Sequence, residues 1–346
     1  MKLSDIQDFC RTLLEKNGVP AAEAALIADA LLEADVKGLG SHGVMRLPVY
    51  LRRVKAGLMR SKADMRVIRS GGAVCVLDAS HSFGQVAAAE GMERAIQLAA
   101  QFGIGACLVI NSGHFGMAAR YAQMAAKRNM AGLVFSNTTP LMPPTGGTEK
   151  KIGNNPLAIA APAKGDPVVL DIALSAVALG KIILAKSQGK KIPPDWATDK
   201  TGVPTDDPHK ALDGGLLLPM AGPKGYGLAV AVEILTGVLA GTYAWQIPSL
   251  YNLAEKQSIA HFLIAVDIAH FCDYNAYLAN VEDLKAGLKA GGTLAGVTGI
   301  FMPGEIELNR ERAALAAGEI ELTPTVVAEL NALAEEAAIR PLEHRL

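Results

Sequence analysis

The sequence predicts an α/β protein that opens with a small helical unit. Apolar residues recur at helical spacing through the first 56 positions, and from residue 65 onward short strand-like runs alternate with helical stretches. Length and composition add a third observation. At 346 residues, 50% of them hydrophobic and 19% charged, the chain is long enough for two or three structural units and apolar enough to bury a large core.

Leu3, Ile6, Phe9, Leu13 and Leu14 share one helical face, with Ser4 and Gln7 spaced as a capping box and Gly18 as the stop. Pro20 suits the first turn of a second helix that runs to residue 37. After Gly38-Leu39-Gly40-Ser41-His42-Gly43, a third helix is expected over 45–56, ending at Gly57. Runs at 65–70 and 73–78 flank Gly71-Gly72 as a β-hairpin with a two-residue turn. A helix over 85–101, a buried strand over 106–110, a helix over 117–128 and a strand over 132–136 follow. Short apolar strands at 157–161 and 168–172 lead to a helix from residue 175. An apolar helix over 225–239, a strand over 261–267 and an amphipathic helix over 323–338 complete the pattern. The stretches 137–156 and 192–219, rich in Pro and polar residues, are too long for idle connections, and such loops often carry function.

Composition narrows the function. Lys plus Arg is 33 against 34 for Asp plus Glu, so neither nucleic acid nor an anionic membrane surface is an expected partner. Aromatic residues are 5%, too few for a base-stacking platform. Four scattered cysteines without a CxxC pair suit a reducing compartment. Asp5 and Asp8 stand where a signal peptide would need apolar sequence, so a cytoplasmic protein is expected. The uncharged run 234–254 contains Pro248, Gln246, Ser249 and Asn252, which a lipid-exposed span would not accept.

The local motifs are few. A Rossmann loop, GxGxxG between strand and helix, is absent, and Gly103-Ile104-Gly105 precedes a strand instead. Gly222-Pro223-Lys224-Gly225-Tyr226-Gly227 opens an apolar helix. It reads either as an anion site built on backbone amides beside Lys224 or as a tight turn feeding a buried helix. His42 and Arg46 lie four apart at an expected helix start, hence on one face. Arg grips a carboxylate through two N–H groups and His exchanges a proton near neutral pH, a pairing that suits reduction of a keto acid. By spacing alone, a surface helix with an ordinary His and Arg is the favoured reading. His114 follows a buried strand between glycines, a position where α/β proteins place ligands and also plain polar turns. His81, His209, His261, His270 and His344 read as structural or solvated. His270-Phe271-Cys272-Asp273 lacks the second ligand pair of a zinc site, so no metal is expected.

Taken in order, SHGVMRLPVYLRRVKAGL, NSGHFGMAARYAQMAA, GNNPLAIAAP, VLDIALSAVALGK, PPDWATDKTGVPTDDP, LPMAGPKGYGLAVAVEILTGVLAG and FMPGE closely resemble the malate/L-lactate dehydrogenase family of the second type. That family includes ureidoglycolate dehydrogenase, diketogulonate reductase, sulfolactate dehydrogenase and cyclic imino acid reductases. The resemblance implies hydride transfer between NAD or NADP and the second carbon of a small carboxylic acid, in a homodimer. It implies a non-Rossmann NAD(P)-binding domain, residues 116–294, inserted in an α+β substrate domain made of 1–115 with 295–346. By position, Arg46 matches the carboxylate clamp with Ser41 beside it, and His42 and His114 match the histidines of the active site. The stretch Asp171-Ile172-Ala173 with Ser175, then Lys224 with Gly225, then Gly304 with Glu305, match cofactor-contacting blocks, and Thr138 lies in the loop on the nicotinamide side. Asn154, Pro144 and Gly113 depart from the residues most frequent in the family, which bears on the choice of substrate.

These residues together lead to an expected mechanism. Arg46 anchors the carboxylate while His42 or His114, with a pKa near ~6.5, gives or takes the proton on oxygen. Reduction of cyclic imino acids or imines is the alternative, and a nucleotide-binding protein without turnover a remote one.

Overall fold

The computed structural model describes residues 1–342; His344, read above as structural or solvated, lies outside them. Helix α1 (Leu3–Lys16) starts ahead of the expected capping box. Lys2 is its N-cap, the Ser4 hydroxyl bonds Asp5, and the Leu3 amide donates to the Gly318 carbonyl at 3.0 Å. An orphan donor of the first turn is thus met from the far end of the chain rather than by a side chain. Helix α2 (Ala21–Val36) starts where expected, with Pro20 as its extended N-cap rather than in the first turn, and Ile27 and Leu31 share a core with Ile6, Phe9, Leu13 and Leu14 of α1.

The third helix differs from its prediction. Residues 40–46 form two 3₁₀ turns, Gly40–His42 and Val44–Arg46, before α3 (Leu47–Lys55) begins. Between the turns Gly43 is pressed onto Asp35, where a Cβ would fall 2.1 Å from Asp35 Oδ1. Asp35 Oδ2 also accepts the Val44 amide at 2.8 Å, so one buried carboxylate of α2 clamps the break.

The expected hairpin forms from β1 (Arg66–Gly71) and β2 (Val74–Asp78), but its two-residue turn is Gly72-Ala73, one residue later than expected, because Gly71 still pairs with Val74; Gly72 takes φ +54°. There follow α4 (Gly84–Phe102), β3 (Ile104–Ser112), α5 (Ala118–Ala126), β4 (Met130–Ser136), β5 (Leu157–Ala161) and β6 (Val168–Ile172). Helix α6 (Leu179–Ser187) starts later than residue 175, because Ser175 is held in a β-bridge with Pro219. The chain continues through α7 (Pro208–Leu212), α8 (Pro223–Glu233) with a π turn Ile234–Val238, and β7 (Ile259–Asp267). It ends with α9 (Tyr274–Lys289), α10 (Glu305–Ala317) and α11 (Pro324–Glu336), whose N-cap Thr323 accepts the Val326 amide. Neither α9 nor α10 was anticipated.

Among the described residues seven strands form one sheet in the order β1-β2-β3-β7-β4-β5-β6, in which only β2 and β3 run parallel. This mixed sheet is not the parallel, doubly wound sheet of a Rossmann fold. Helices α4 and α5 seat on it through glycines. A Cβ on Gly105 would lie 2.1 Å from the Ala95 carbonyl oxygen, and one on Gly132 2.3 Å from that of Ala122.

Three apolar cores result. The first joins α1, α2 and α3 to α11; the second lies between the sheet and helices α4 and α5; the third gathers α6, α7 and α8 around the 137–156 loop. The first falls mostly within 1–115 and 295–346, and the third within 116–294. The sheet itself spans residue 116, since β3 pairs with β7 and β7 with β4. Among the described residues no helix is long and apolar enough to cross a membrane.

Candidate active site

The two 3₁₀ turns, the N-terminal part of α3 and the loop after β3 bring Ser41, His42, Arg46 and His114 together. The His42 and His114 rings stack with centroids 5.6 Å apart and planes 18° from parallel. They do not share a helix face with Arg46, as the spacing had suggested. Arg46 returns to them by donating from Nε to the Ser41 carbonyl at 2.6 Å, while Ser41 Oγ stands 3.0 Å from His42 Nδ1. A further partner was not legible: Arg46 Nη1 donates to the Tyr251 hydroxyl at 2.7 Å, and Tyr251 lies 60% exposed at the rim. The loop carrying Tyr251 is fixed by buried Arg53, whose guanidinium donates to the carbonyls of Leu250, Asn252 and Glu255.

Behind His114 the environment is dry and polar. Its Nδ1 stands 2.6 Å from the hydroxyl of buried Tyr50, to which Gln85 Nε2 donates at 3.2 Å. Phe115 stacks on His261 at 4.3 Å, and His261 is held between Ser136 Oγ and Ser112 Oγ, each at 2.9 Å. His261 is thus structural, as expected. Burial pushes the His42 imidazole down to about 4, helped by the Arg46 charge. Burial lowers His114 well below the usual histidine range, aided by the charges of His42, Arg46 and His261. The expected value near 6.5 therefore does not hold for the free protein, because the site removes water from both rings.

The other sequence-named residues fall into two further clusters joined to this one. Thr138 Oγ1 donates to Asn154 Oδ1 at 3.0 Å, and the Asn154 carbonyl accepts the Leu174 amide at 2.7 Å, beside buried Ser175. Met220 donates its amide to Leu174, and Gly225 packs so tightly there that a Cβ would lie 2.1 Å from the Met220 oxygen. The amides of Gly225 and Tyr226 already donate to Met220 and Gly222, so the first turn of α8 is not an open anion cradle. Lys224 stands exposed on that turn. The start of α6 touches the first cluster, since a Cβ on Gly180 would lie 3.6 Å from the Ser41 Cβ.

Asp171 and Gly304 make the third cluster. Asp171 Oδ2 accepts the Ala119 amide at 2.8 Å, linking β6 to the start of α5 just beyond His114; its burial raises the carboxyl to about 6. Gly304, at φ +86°, packs on β6 where a Cβ would lie 2.8 Å from the Val169 oxygen. Both line a pocket of about 160 Å³ with Lys37 and Glu307; Ile172 and Ala173 continue the β6 end toward Ser175. A groove of about 860 Å³ that also involves Lys37, Gln123 and Leu308 runs between α2, α5 and α10. Glu305 is not free: its carboxylate accepts from Lys289 at 2.6 Å and from the Met302 amide, and the Lys289 ammonium holds it below the usual carboxylate range. Among the described residues no group of His, Cys, Asp or Glu is placed to hold a metal ion.

An arginine with unspent donors beside two stacked imidazoles is an arrangement that suits dehydrogenase chemistry on small acids. Comparison with known proteins makes this specific. The family model described as malate/L-lactate dehydrogenase matches residues 1–331, and the chain belongs to that family. It is 39% identical to the (2R)-3-sulfolactate dehydrogenase (NADP(+)) of Chromohalobacter salexigens over 96% of this chain and 98% of that one. Its structure matches the sulfolactate dehydrogenase of Methanocaldococcus jannaschii with a TM-score of 0.93 at 34% identity, covering 98% and 97% of the two chains. It also matches the delta1-piperideine-2-carboxylate reductase of Pseudomonas syringae, with a TM-score of 0.86 at 28% identity over 96% and 99%.

Proposed function

We propose that this protein interconverts a small 2-hydroxy acid and its 2-oxo acid with NAD or NADP, and that Ser41, His42, Arg46 and His114 are the residues that meet the acid. The observation that carries the reading is the convergence of Arg46 with both imidazoles. The Arg46 guanidinium spends Nε and Nη1 within the protein and keeps N–H groups on Nη2 for a carboxylate. Holding the carboxylate there sets the C2 oxygen beside the imidazoles. The bound carboxylate also offsets the Arg46 charge that depresses His42 and His114, which raises both toward the range in which they exchange a proton.

The pockets support the cofactor part. Asp171 and Gly304 line the small pocket, and Ile172, Ala173 and Ser175 lead from it toward Thr138 through the Leu174–Asn154 bond, with Lys224, Gly225 and Glu305 assigned to the cofactor by their place in the sequence. The adjoining groove is of ligand-pocket size. When bound, the nicotinamide supplies or takes the hydride. The division into a cofactor part, 116–294, and a substrate part, 1–115 with 295–346, belongs to this reading. So do a cytoplasmic location and a homodimer. The apolar side chains Leu179, Ile183, Leu228, Leu235, Leu239 and Trp245, exposed along α6, α8, the π turn and the segment that follows it, support a dimer.

The test is the rate of NADH and NADPH oxidation with pyruvate, oxaloacetate, sulfopyruvate and piperideine-2-carboxylate. Turnover of an oxo acid to an alcohol supports the reading, and turnover of the imine alone replaces it with cyclic imino acid reduction. Two observations favour that second reading: the structural likeness to the piperideine-2-carboxylate reductase, and the lowered imidazoles, which matter less to a substrate that arrives protonated on nitrogen.

A further inference from the structure

Tyr50 has no role in the reading above, yet it touches His114. It lies on α3 with no exposed surface, and its hydroxyl stands 2.6 Å from His114 Nδ1 and 3.2 Å from Gln85 Nε2. Gln85, on α4, is itself buried, and its Oε1 has no partner. Phe83 meets the Tyr50 ring edge-on at 6.1 Å between centroids, which fixes the direction of the hydroxyl. We propose that Tyr50 is a positioning residue for His114: backed by Gln85, its hydroxyl oxygen holds the imidazole proton on Nδ1 and leaves Nε2 to exchange a proton with substrate.

The hydrogen count is met in this direction when the Gln85 amide oxygen meets the Tyr50 hydroxyl in place of the Nε2 that faces it as placed. A neutral imidazole carries one N–H, so the nitrogen that takes a proton from an alcohol must be the bare one. With Nε2 bare, Nδ1–H donates to the Tyr50 oxygen. The Tyr50 proton then needs an acceptor, and the Gln85 carbonyl oxygen is a buried acceptor still lacking a donor. A half-turn of the amide exchanges its NH₂ and C=O at nearly the same place, so Gln85 can present that oxygen to Tyr50. Once Nε2 is protonated, the imidazolium keeps the same Nδ1–H bond, so one arrangement serves both ends of the transfer. The groups whose charge reaches His114 are His42, Arg46 and His261, all cationic when charged. Among the described residues no carboxylate is bonded to His114, and a neutral phenol and amide take the place that an aspartate holds in a Ser-His-Asp triad.

This inference rests on His114 being the proton-exchanging group, and ¹⁵N NMR of the labelled histidines tests it without needing turnover. In the wild type Nδ1 of His114 is expected to show the shift of a protonated ring nitrogen and Nε2 that of a bare one, assigned with His114→Ala. Tyr50→Phe is expected to mix or reverse the two and to lower kcat for alcohol oxidation about 10²-fold with little change in KM. Gln85→Leu should move the same shifts, and Gln85→Glu, which keeps an acceptor, should preserve them; this pair serves if Tyr50→Phe does not fold. A bare Nδ1 in the wild type, unchanged shifts in Tyr50→Phe or Gln85→Leu, or full turnover in His114→Ala overturns the proposal. Failure of every acid and imine to turn over, with the shifts as expected, sinks the dehydrogenase reading and leaves the Tyr50 contact standing.

Discussion

Arg46 is held in place before any substrate arrives. Its bonds to the Ser41 carbonyl and the Tyr251 hydroxyl aim the guanidinium at the histidines. Removing the rim bond with Tyr251→Phe should cost about 1 kcal/mol of substrate binding, read as a roughly fivefold higher KM for the acid with kcat nearly unchanged. An unaltered KM would mean that Tyr251 does not aim Arg46. The histidines give a second expectation. With His42 at about 4 and His114 well below the usual histidine range, the free protein keeps both imidazoles neutral across the neutral range. The kcat/KM for alcohol oxidation should therefore hold its plateau down to about pH 5, whereas unperturbed imidazoles would lose it below about 6.5. Ser41, His42, Arg46 and His114 were legible because their types and order form a recognisable block. Tyr50 stood four residues beyond Arg46 in the same block, but nothing in a sequence says that a tyrosine on a basic helix turns inward against a histidine 64 residues away.

Packing between elements places that histidine. Helix α5 seats on β4 through Gly132, where a Cβ would meet the Ala122 carbonyl and the Ala125 Cβ. Gly132→Ala should destabilise by about 1–3 kcal/mol, since neither the strand nor the helix backbone can give way cheaply. Thermal unfolding measures it, and an unchanged Tm would show that α5 has room to shift. Because the start of α5 is tied to Asp171, the same variant should also weaken activity. Strands 157–161 and 168–172 were read residue for residue from the sequence, since short apolar runs bounded by Pro and Gly leave few alternatives. Helices α9 and α10 were missed for the opposite reason: neither buries a side chain, so their sequences carry no apolar stripe at helical spacing. The single helix expected over 45–56 failed at its start because Asp35, ten residues earlier, imposes the break at Gly43.

Across the whole molecule, buried titratable groups oppose one another. His42, His114 and His261 are depressed by burial, so the unfolded chain takes up their protons first, and their stability contribution is lost as pH falls below about 6.5. Asp35 and Asp171 are raised by burial to about 7 and about 6, so the folded chain holds protons that the unfolded chain has released, and stability falls as pH rises through that window. Three histidines against two carboxylates leave a net uptake of about one proton on unfolding in mild acid, or about 1.4 kcal/mol per pH unit. Between about pH 6.5 and about pH 7.5 the protons taken up by the unfolded histidines and the one held by folded Asp35 come to cancel. Stability from denaturant unfolding should thus rise from about pH 5 and level off above about pH 7, and Asp35→Asn should make the rise steeper. A fall in wild-type stability between about pH 5 and about pH 6.5, or an Asp35→Asn slope no steeper than the wild type's, would refute the assignment.

Strand order was the feature least open to a reading of the sequence, because β7 enters the sheet from more than eighty residues beyond β6 and parts β3 from β4. That placement has a consequence for synthesis. Until residue 267 leaves the ribosome, β1-β2-β3 and β4-β5-β6 are two half-sheets with unsatisfied edges, each offering the backbone hydrogen bonds that β7 will later close. Chains cut short before β7 are expected to aggregate through those edges. Full-length chains should fold late and slowly, since the central seam joins residues far apart in sequence.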